Sequence, residues 1–261
     1  MGMAAKNRAA RSPLQEPSLP QPGDSLQDQI WERKLDLLGM LGIPVCFFAI
    51  ALFEWWRYLV NSPPSPVLMT LLFVGSVVWG GRRLWQARRE LEKMALGARG
   101  ERTVGQMLEL LRAQGYRTFH DLPEDGYNID HVLIGPAGVF CIETKTWSKP
   151  NGECEIVYDG QKLLMNGHVP ERDPLTQSKA NARRVREILK QMAGRDVRVK
   201  PVVLFPGWWV QSPLHRAEVY VANPKLFLQA FRRGREYSSI TLRPGDISFL
   251  AAGMERYLRQ K

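Results

Sequence analysis

The chain has few of the residues that build disulfide frameworks and zinc sites. Its 261 residues include three cysteines and four histidines. The cysteines are scattered, at Cys46, Cys141 and Cys154, and their number and spacing suit neither a disulfide framework nor a zinc ligand set. The histidines form no H-x-x-H or H-E-x-x-H pattern. These absences argue against a small disulfide-bonded secreted domain and fit a reducing compartment.

Acidic residues are also in short supply. The chain has 36 Lys and Arg against 26 Asp and Glu, a formal net charge of +10, and residues 97–261 are net basic by themselves. A basic surface favours a polyanionic partner through phosphate contacts. The alternative is a basic domain held near an anionic membrane surface, and charge alone does not decide between the two.

The sequence lacks an uncharged apolar run of about 20 residues, the length that spans a bilayer. Two shorter uncharged runs, 37–53 and 66–81, are instead flanked by tryptophans that can serve as interface anchors. Between the runs lies N-S-P-P-S-P, a segment typical of a turn. We therefore predict a transmembrane helical hairpin over 31–81, with 37–81 in contact with the lipid bilayer.

The distribution of basic residues predicts the orientation of this hairpin. Arg33 and Lys34 precede the first run, 37–53, five more Arg and Lys follow the second run within 82–93, and the segment between the runs has Arg57 as its one basic residue. By the positive-inside rule both termini and the soluble domain face the cytoplasm, which makes this a multi-pass protein of the cell (inner) membrane. A cleaved signal peptide or a pair of buried core helices are the alternatives, and the clustered arginines and bordering tryptophans favour spanning.

The rest of the chain predicts one mixed α/β domain with attached segments. We expect a disordered basic tail (1–30), a charged linker helix (82–96), the domain itself (97–235) and a C-terminal helical extension (236–261). Gly97 and Gly100 interrupt the linker helix, and a new helix over 99–113 turns Val104, Leu108 and Leu111 inward. After a loop come two central strands and further hairpins in 151–167. The remaining elements are a helix from Pro174 to Met192 capped by Asp173, strands at 199–205 and 217–222, and helices at 224–231 and 244–258.

The most informative stretch is 128–147, N-I-D-H-V-L-I-G-P-A-G-V-F-C-I-E-T-K-T-W. Its charged side chains are Asp130, Glu143 and Lys145. Side chains alternate along a strand, so Glu143 and Lys145 point the same way. If the hairpin turns through two residues, Asp130 falls opposite Glu143, at about 5 Å between Cβ atoms. Two carboxylates at that distance repel each other unless a proton or cation lies between them, and oxygen ligands suit Mg²⁺ or Mn²⁺.

Each part of this constellation has a plainer reading. A bulge at Gly138 would shift the pairing by one residue. Lys145 could form an ordinary salt bridge with Glu143. Glu101, a third carboxylate near the apolar stripe of its helix, could equally be an exposed first-turn glutamate favoured by the helix dipole.

Together the motifs resemble those of the NERD (nuclease-related) domain of the PD-(D/E)xK nuclease superfamily. The resemblance is carried by G-x-x-G-E at 97–101, N-I-D-H-V at 128–132, G-P-x-G-V at 135–139 and I-E-T-K-T-W at 142–147. It covers about 97–231 and implies a restriction-endonuclease-like fold, a mixed central sheet flanked by helices. The proline that the superfamily usually has before the first acid is replaced here by Ile129.

The resemblance also implies roles for individual residues. Asp130, Glu143 and the Thr144 carbonyl would hold the divalent metal, with Glu101 contributing directly or through water. Lys145 would position the attacking water and stabilise charge on the phosphate. Gln177 resembles a glutamine that the superfamily often places near the site, although an ordinary first-turn polar residue is equally compatible.

These observations predict a membrane-anchored, Mg²⁺- or Mn²⁺-dependent endonuclease that hydrolyses nucleic acid, DNA in particular, without a small-molecule organic cofactor. One alternative is a non-catalytic nucleic-acid-binding module, and another is a membrane-associated structural protein. Trp147 could stack on a base or serve in packing. Arg183, Arg184 and Arg186 could contact phosphates or form a solvated helix face.

Overall fold

The computed structural model describes residues 21–60, 66–149, 155–213, 217–232 and 241–261. The tail up to residue 20, most of the turn between the predicted spans, the Asn151-Gly152 turn, Cys154 and His215 lie outside these ranges. Within them the helices are α1 (Asp24–Leu59), α2 (Pro66–Glu109), α3 (Pro174–Ala193), α4 (Pro224–Arg232) and α5 (Pro244–Gln260). The strands are β1 (Arg117–Pro123), β2 (Asn128–Gly135), β3 (Gly138–Thr144), β4 (Glu155–Tyr158), β5 (Leu163–Met165), β6 (Val199–Leu204), β7 (Trp209–Gln211) and β8 (Tyr220–Ala222).

The central sheet is mixed, as the sequence predicts. Its five strands lie in the order β1-β2-β3-β6-β8. The first three are antiparallel, whereas β3, β6 and β8 are parallel to one another. The parallel connection from β3 to β6 includes α3, which satisfies the need of a parallel pair for a long crossover. A smaller sheet, β5-β4-β7, follows the carboxyl ends of β3 and β6.

Helices cover both faces of the central sheet. On one face α3 and α5 pack against apolar residues of β1, β2 and β3, with Leu189, Leu250 and Met254 fully buried. On the other face the end of α2 and α4 pack against β2, β3 and β6, with Val104, Leu108 and Leu111 turned inward as predicted. The domain is therefore a layered α/β structure with a continuous sheet between two helical layers.

The N-terminal helices form an antiparallel pair. Arg33 of α1 pairs with Glu90 of α2 at 2.8 Å, and the rings of Phe48 and Phe73 lie 5.4 Å apart. Among the described residues, one helix, α1, is long and apolar enough to cross a membrane, and 6% of its most apolar window is buried. The second predicted span, 66–81, forms the start of α2, which does not meet the same test over its described residues. The hairpin shape is observed, and its placement in a membrane stays a prediction.

The structure corrects four predictions about the helices and strands. Residues 24–30, expected in the tail, belong to α1. Gly97 and Gly100 do not interrupt α2, because a helix tolerates glycine at a cost of about 1 kcal/mol and packing can compensate. The segment 117–123, expected as a loop, is the edge strand β1. β7 is likewise a strand that the pattern did not indicate.

The helix α5 is part of the core and not an extension. Its buried residues, among them Leu250 and Met254, contact the same cluster as α3. The Tyr257 hydroxyl also donates to the carbonyl of Pro123 at 3.3 Å, which ties α5 to the end of β1. The amphipathic pattern of α5 predicted the helix but not the surface against which it packs.

Candidate functional site

The β2–β3 hairpin has the two-residue loop that brings the acids together. Gly135 pairs with Gly138 and His131 pairs with Ile142, so the bulged alternative is excluded. Continued by one residue, this register sets Asp130 level with Glu143. The backbone N–H of Thr144 donates to Asp130 Oδ2 at 2.6 Å, which holds the carboxylate at the end of β3.

Glu143 is buried and fully hydrogen-bonded. Its Oε1 accepts from Lys145 Nζ at 2.7 Å, and its Oε2 accepts from the Asn181 side-chain amide at 2.9 Å. Lys145 Nζ also donates to Gln177 Oε1 at 2.9 Å. The first turns of α3 thus supply one amide to the carboxylate and one to the ammonium. Because the glutamate is 3% exposed, these partners offset the free energy that burial of a charge would otherwise cost.

Glu101 reaches the same region from α2, which packs on the face of the central sheet opposite to α3. Burial, followed by the charges of Asp121 and Glu143, raises the pKa of Glu101 to about 7, while Lys145 acts in the other direction. Glu101 is partly buried and lies in the last part of α2 and not in the first turn of a helix, so the plainer reading of Glu101 is wrong. The residue is electrostatically part of the cluster.

Asp130 is affected both by burial and by the charges of the neighbouring acids. Burial, then the negative charges of Glu143 and Glu101, raise the pKa of Asp130 well above its ordinary value, against the stabilising N–H of Thr144 and the charge of Lys145. The side chain nevertheless keeps some exposed surface. Three carboxylates gathered in one region form a local excess of negative charge, which a cation would relieve.

The donor set fits a hard divalent cation by its chemistry, since Asp130, Glu143 and Glu101 offer carboxylate oxygen alone. The arrangement of these side chains does not yet form a complete set of metal ligands. Among the described residues, no three His, Cys, Asp or Glu side chains are arranged so that they could already hold a metal ion. Both oxygens of Glu143 are engaged by Lys145 and Asn181. A metal would therefore need a rearrangement of Glu143, or ligands beyond these side chains such as the Thr144 carbonyl.

Two residues of the site were missed by sequence reasoning. Asn181 follows Gln177 by one helical turn and is buried, and a buried amide in an amphipathic stripe was an available signal. Asp121 lies on β1 between the pairs His120–His131 and Leu122–Ile129, hence level with Asp130. The sequence pattern predicts a loop at β1, so it does not place Asp121 beside the other acids.

The predicted nucleic-acid contacts are mostly engaged within the protein. Trp147 packs on Phe205, with ring centroids 5.0 Å apart, which supports the packing role. Arg184 pairs with Glu124, and Arg186 pairs with Asp196. The three arginines therefore do not form one free phosphate-binding face, although Arg183 is exposed.

A cavity of about 330 Å³ lies beside the acids rather than over them. It is bounded by residues 21–22, the end of α2, β1 and the end of α5, and its polar lining includes Glu109, Arg112 and His120. Asp130, Glu143 and Lys145 are not among its lining residues. Asp130 and Glu143 instead lie at the end of the central sheet where β3 terminates.

Comparison with known proteins agrees with the resemblance in the motifs. Residues 96–206 match the model of the nuclease-related domain, NERD. The match contains Glu101, Asp121, Asp130, Glu143, Lys145, Gln177 and Asn181. No curated protein and no solved structure gives a significant match to the chain.

Proposed function

We propose that the nuclease-related domain at residues 96–206 is a divalent-metal-dependent nuclease that hydrolyses phosphodiester bonds of nucleic acid, DNA in particular, at the surface of a membrane. The observation that carries the proposal is the convergence of Asp130, Glu143 and Lys145 at the end of β3. Lys145 Nζ lies 2.7 Å from Glu143 Oε1, and burial, followed by the charge of Glu143, raises the pKa of Asp130 well above its ordinary value.

Lys145 is suited to stabilise a phosphate whose negative charge increases during hydrolysis. Its ammonium group donates to Glu143 and Gln177, which fixes its position while one further N–H can point to a phosphate oxygen. The side chain is partly exposed, so a substrate can reach it. A donor held in place before the reaction stabilises developing charge without a reorganisation cost.

Asp130 and Glu143, with the Thr144 carbonyl, would hold Mg²⁺ or Mn²⁺, and Glu101 would complete the acidic environment. The bound cation would supply charge neutralisation and a water of lowered pKa. Asn181 donates to Glu143, and Gln177 accepts from Lys145, which keeps these two side chains oriented.

Membrane attachment through 37–81 is part of the proposal. The apolar side chains of α1 and the first part of α2 are largely exposed, including Val45, Phe48, Leu52, Leu71 and Val74. An exposed apolar surface of this extent needs a cover, and a bilayer fits its length. With both ends of the hairpin cytoplasmic, the domain would meet nucleic acid in the cytoplasm.

A non-catalytic nucleic-acid-binding module is the second candidate. It is favoured by the engagement of both Glu143 oxygens within the protein and by the absence of a preformed three-residue metal group among the described residues. Such a module would bind DNA through its basic surface and leave it intact.

The two candidates separate in a cleavage assay on the full-length chain in detergent or nanodiscs. We expect plasmid and linear DNA to be cut with Mg²⁺ or Mn²⁺, and to stay intact with chelator or in Asp130→Ala. DNA that binds yet remains uncut by the unaltered protein under every metal condition would instead establish the binding module.

A further inference from the structure

The first turn of α1 is hydrogen-bonded to Asp121 of β1. The backbone N–H of Ser25 donates to Asp121 Oδ2 at 2.7 Å, and its hydroxyl donates to Oδ1 at 2.8 Å. The side-chain amide of Asn128 donates to the same Oδ1, also at 2.8 Å. Asp121 thus satisfies an N–H at the start of α1, in the way that an N-cap side chain does, although it comes from another element.

The same turn lies against Glu101. Gly23, the residue before α1, is buried with φ +78°, a conformation that favours glycine. A side chain there would begin 3.4 Å from the carbonyl oxygen of Ala98 and 3.7 Å from Glu101 Oε2. The chain therefore lies close to Glu101 of α2 and is hydrogen-bonded to Asp121 of β1.

Asp121 belongs to a row of acids that crosses three strands. It is level with Asp130 in the β1–β2 register, and Asp130 is level with Glu143 in the β2–β3 register. Its backbone has φ +51°, which is uncommon outside glycine. A residue keeps such a conformation where the surrounding structure holds it, and here the three hydrogen bonds from Ser25 and Asn128 do so.

A helix N-terminus is a favourable neighbour for these carboxylates. The unpaired N–H groups and the positive end of the helix dipole stabilise negative charge within the first turn. The N-terminus of α1 lies next to Asp121 and Glu101, in a region that otherwise contains an excess of negative charge. The docking of α1 and the arrangement of the acids therefore support each other.

We propose that Asp121 is a positioning residue of the nuclease site, which acts by docking the first turn of α1 beside Glu101. This inference rests on the proposed function. Asp121 does not contact the substrate; it fixes the side of the site from which Glu101 approaches. The same helix α1 contains the predicted membrane span, so this contact links the hairpin to the site.

The test uses the full-length chain in nanodiscs and the variants Asp121→Asn, Ser25→Ala and Ser25→Thr. Ser248→Ala, an exposed serine in the first turns of α5, is the matched control. We expect amide hydrogens of residues 24–29 to exchange about fivefold faster in Asp121→Asn and Ser25→Ala, as the loss of a cap predicts. Ser25→Thr, which keeps the hydroxyl, and Ser248→Ala should exchange like the unaltered protein.

Kinetics then separate positioning from a purely structural contact. The kcat for DNA cleavage should fall about tenfold in Asp121→Asn with KM for DNA unchanged, because the acids lose alignment while the DNA-binding surface stays. Ser25→Thr should restore kcat relative to Ser25→Ala. Unchanged exchange would overturn the docking contact, and faster exchange with unchanged kcat would overturn the positioning role. If the unaltered protein cuts no DNA, the proposed function fails and the positioning role with it, whereas the exchange data still report on the contact.

Discussion

At the scale of single residues, the site depends on the burial and hydrogen bonding of Glu143. Glu143 is enclosed and yet has a partner on each oxygen. Strand alternation predicted that Lys145 lies on the same side as Glu143, whereas the sequence left the position of Asp130 open between a two-residue loop and a bulge, and the observed register selects the former. The sequence did not predict Asn181, since a side chain from a distant helix depends on how α3 packs.

Asn181 and Gln177 give a matched pair for measuring what each amide contributes. Asn181→Ala leaves a buried oxygen of Glu143 without its donor, so we expect a loss of about 1–3 kcal/mol in the free energy of unfolding. Gln177→Ala removes an exposed partner and should change stability by less than about 0.5 kcal/mol. Thermal unfolding of both variants in the same detergent checks this difference, and equal losses would contradict the assignment of Asn181 as the buried partner.

Glu101 predicts a pH dependence of stability in the presence of chelator. The fold raises the pKa of Glu101 to about 7 from its ordinary value of 4.5, so between these values the folded state binds more protons than the unfolded state. This contribution is fully present below about pH 4.5 and is lost as pH rises through about 7. The lowered pKa values of His120 and His131 act in the opposite direction.

The Glu101→Gln variant removes that contribution and the effect of the Glu101 charge on Asp130, while it keeps the histidines. We expect the midpoint of thermal unfolding of the unaltered chain to fall more steeply than that of Glu101→Gln between pH 5 and pH 7.5. Parallel curves for the two proteins would show that Glu101 is not enclosed by its neighbours.

At the scale of elements, the fit between α2 and β3 sets where Glu101 lies. Helices and most strands of the domain follow from apolar periodicity, and α3 begins at Asp173-Pro174 as the capping pattern predicts. The continuity of α2 does not follow, because glycine at 97 and 100 weakens a helix. In the structure Gly100 allows Thr146, two residues after the end of β3, to approach the helix backbone. Apolar periodicity does not indicate this contact, because it joins distant segments of the chain.

Gly100→Ala tests this close approach. A methyl group at position 100 would overlap Thr146 Oγ1 and come within 2.8 Å of Thr146 Cβ, so the helix and the strand end must separate. We expect a loss of about 1–3 kcal/mol in stability together with reduced cleavage. Gly81→Ala is the control in the same helix, because nothing lies within 4 Å of its added carbon. A Gly100→Ala protein as stable and active as the control would contradict the packing.

At the scale of the whole molecule, the hairpin and the domain are joined more closely than the sequence indicated. The linker helix and the first helix of the domain are one helix, α2, and the start of α1 is hydrogen-bonded to β1. A fragment that begins at residue 97 therefore cuts α2 and removes the partner of Asp121.

Two deletions separate membrane attachment from support of the domain. Replacing residues 37–81 with a short flexible linker keeps the two helix segments that contact the domain, and we expect this protein to leave the membrane fraction while retaining its thermal midpoint. The fragment 97–261 should unfold at a lower temperature. Fractionation with alkaline carbonate and thermal unfolding check both statements, and a linker variant that stays with the membrane would contradict attachment through 37–81.

The central claim is that Asp130, Glu143 and Lys145 form a site that cuts phosphodiester bonds. The most direct measurement compares DNA cleavage and DNA binding by the full-length protein and by Lys145→Ala, with Mn²⁺ present. We predict that the substitution lowers the cleavage rate about 100-fold or more while the affinity for DNA changes little. Cleavage by Lys145→Ala at the rate of the unaltered protein would contradict the account.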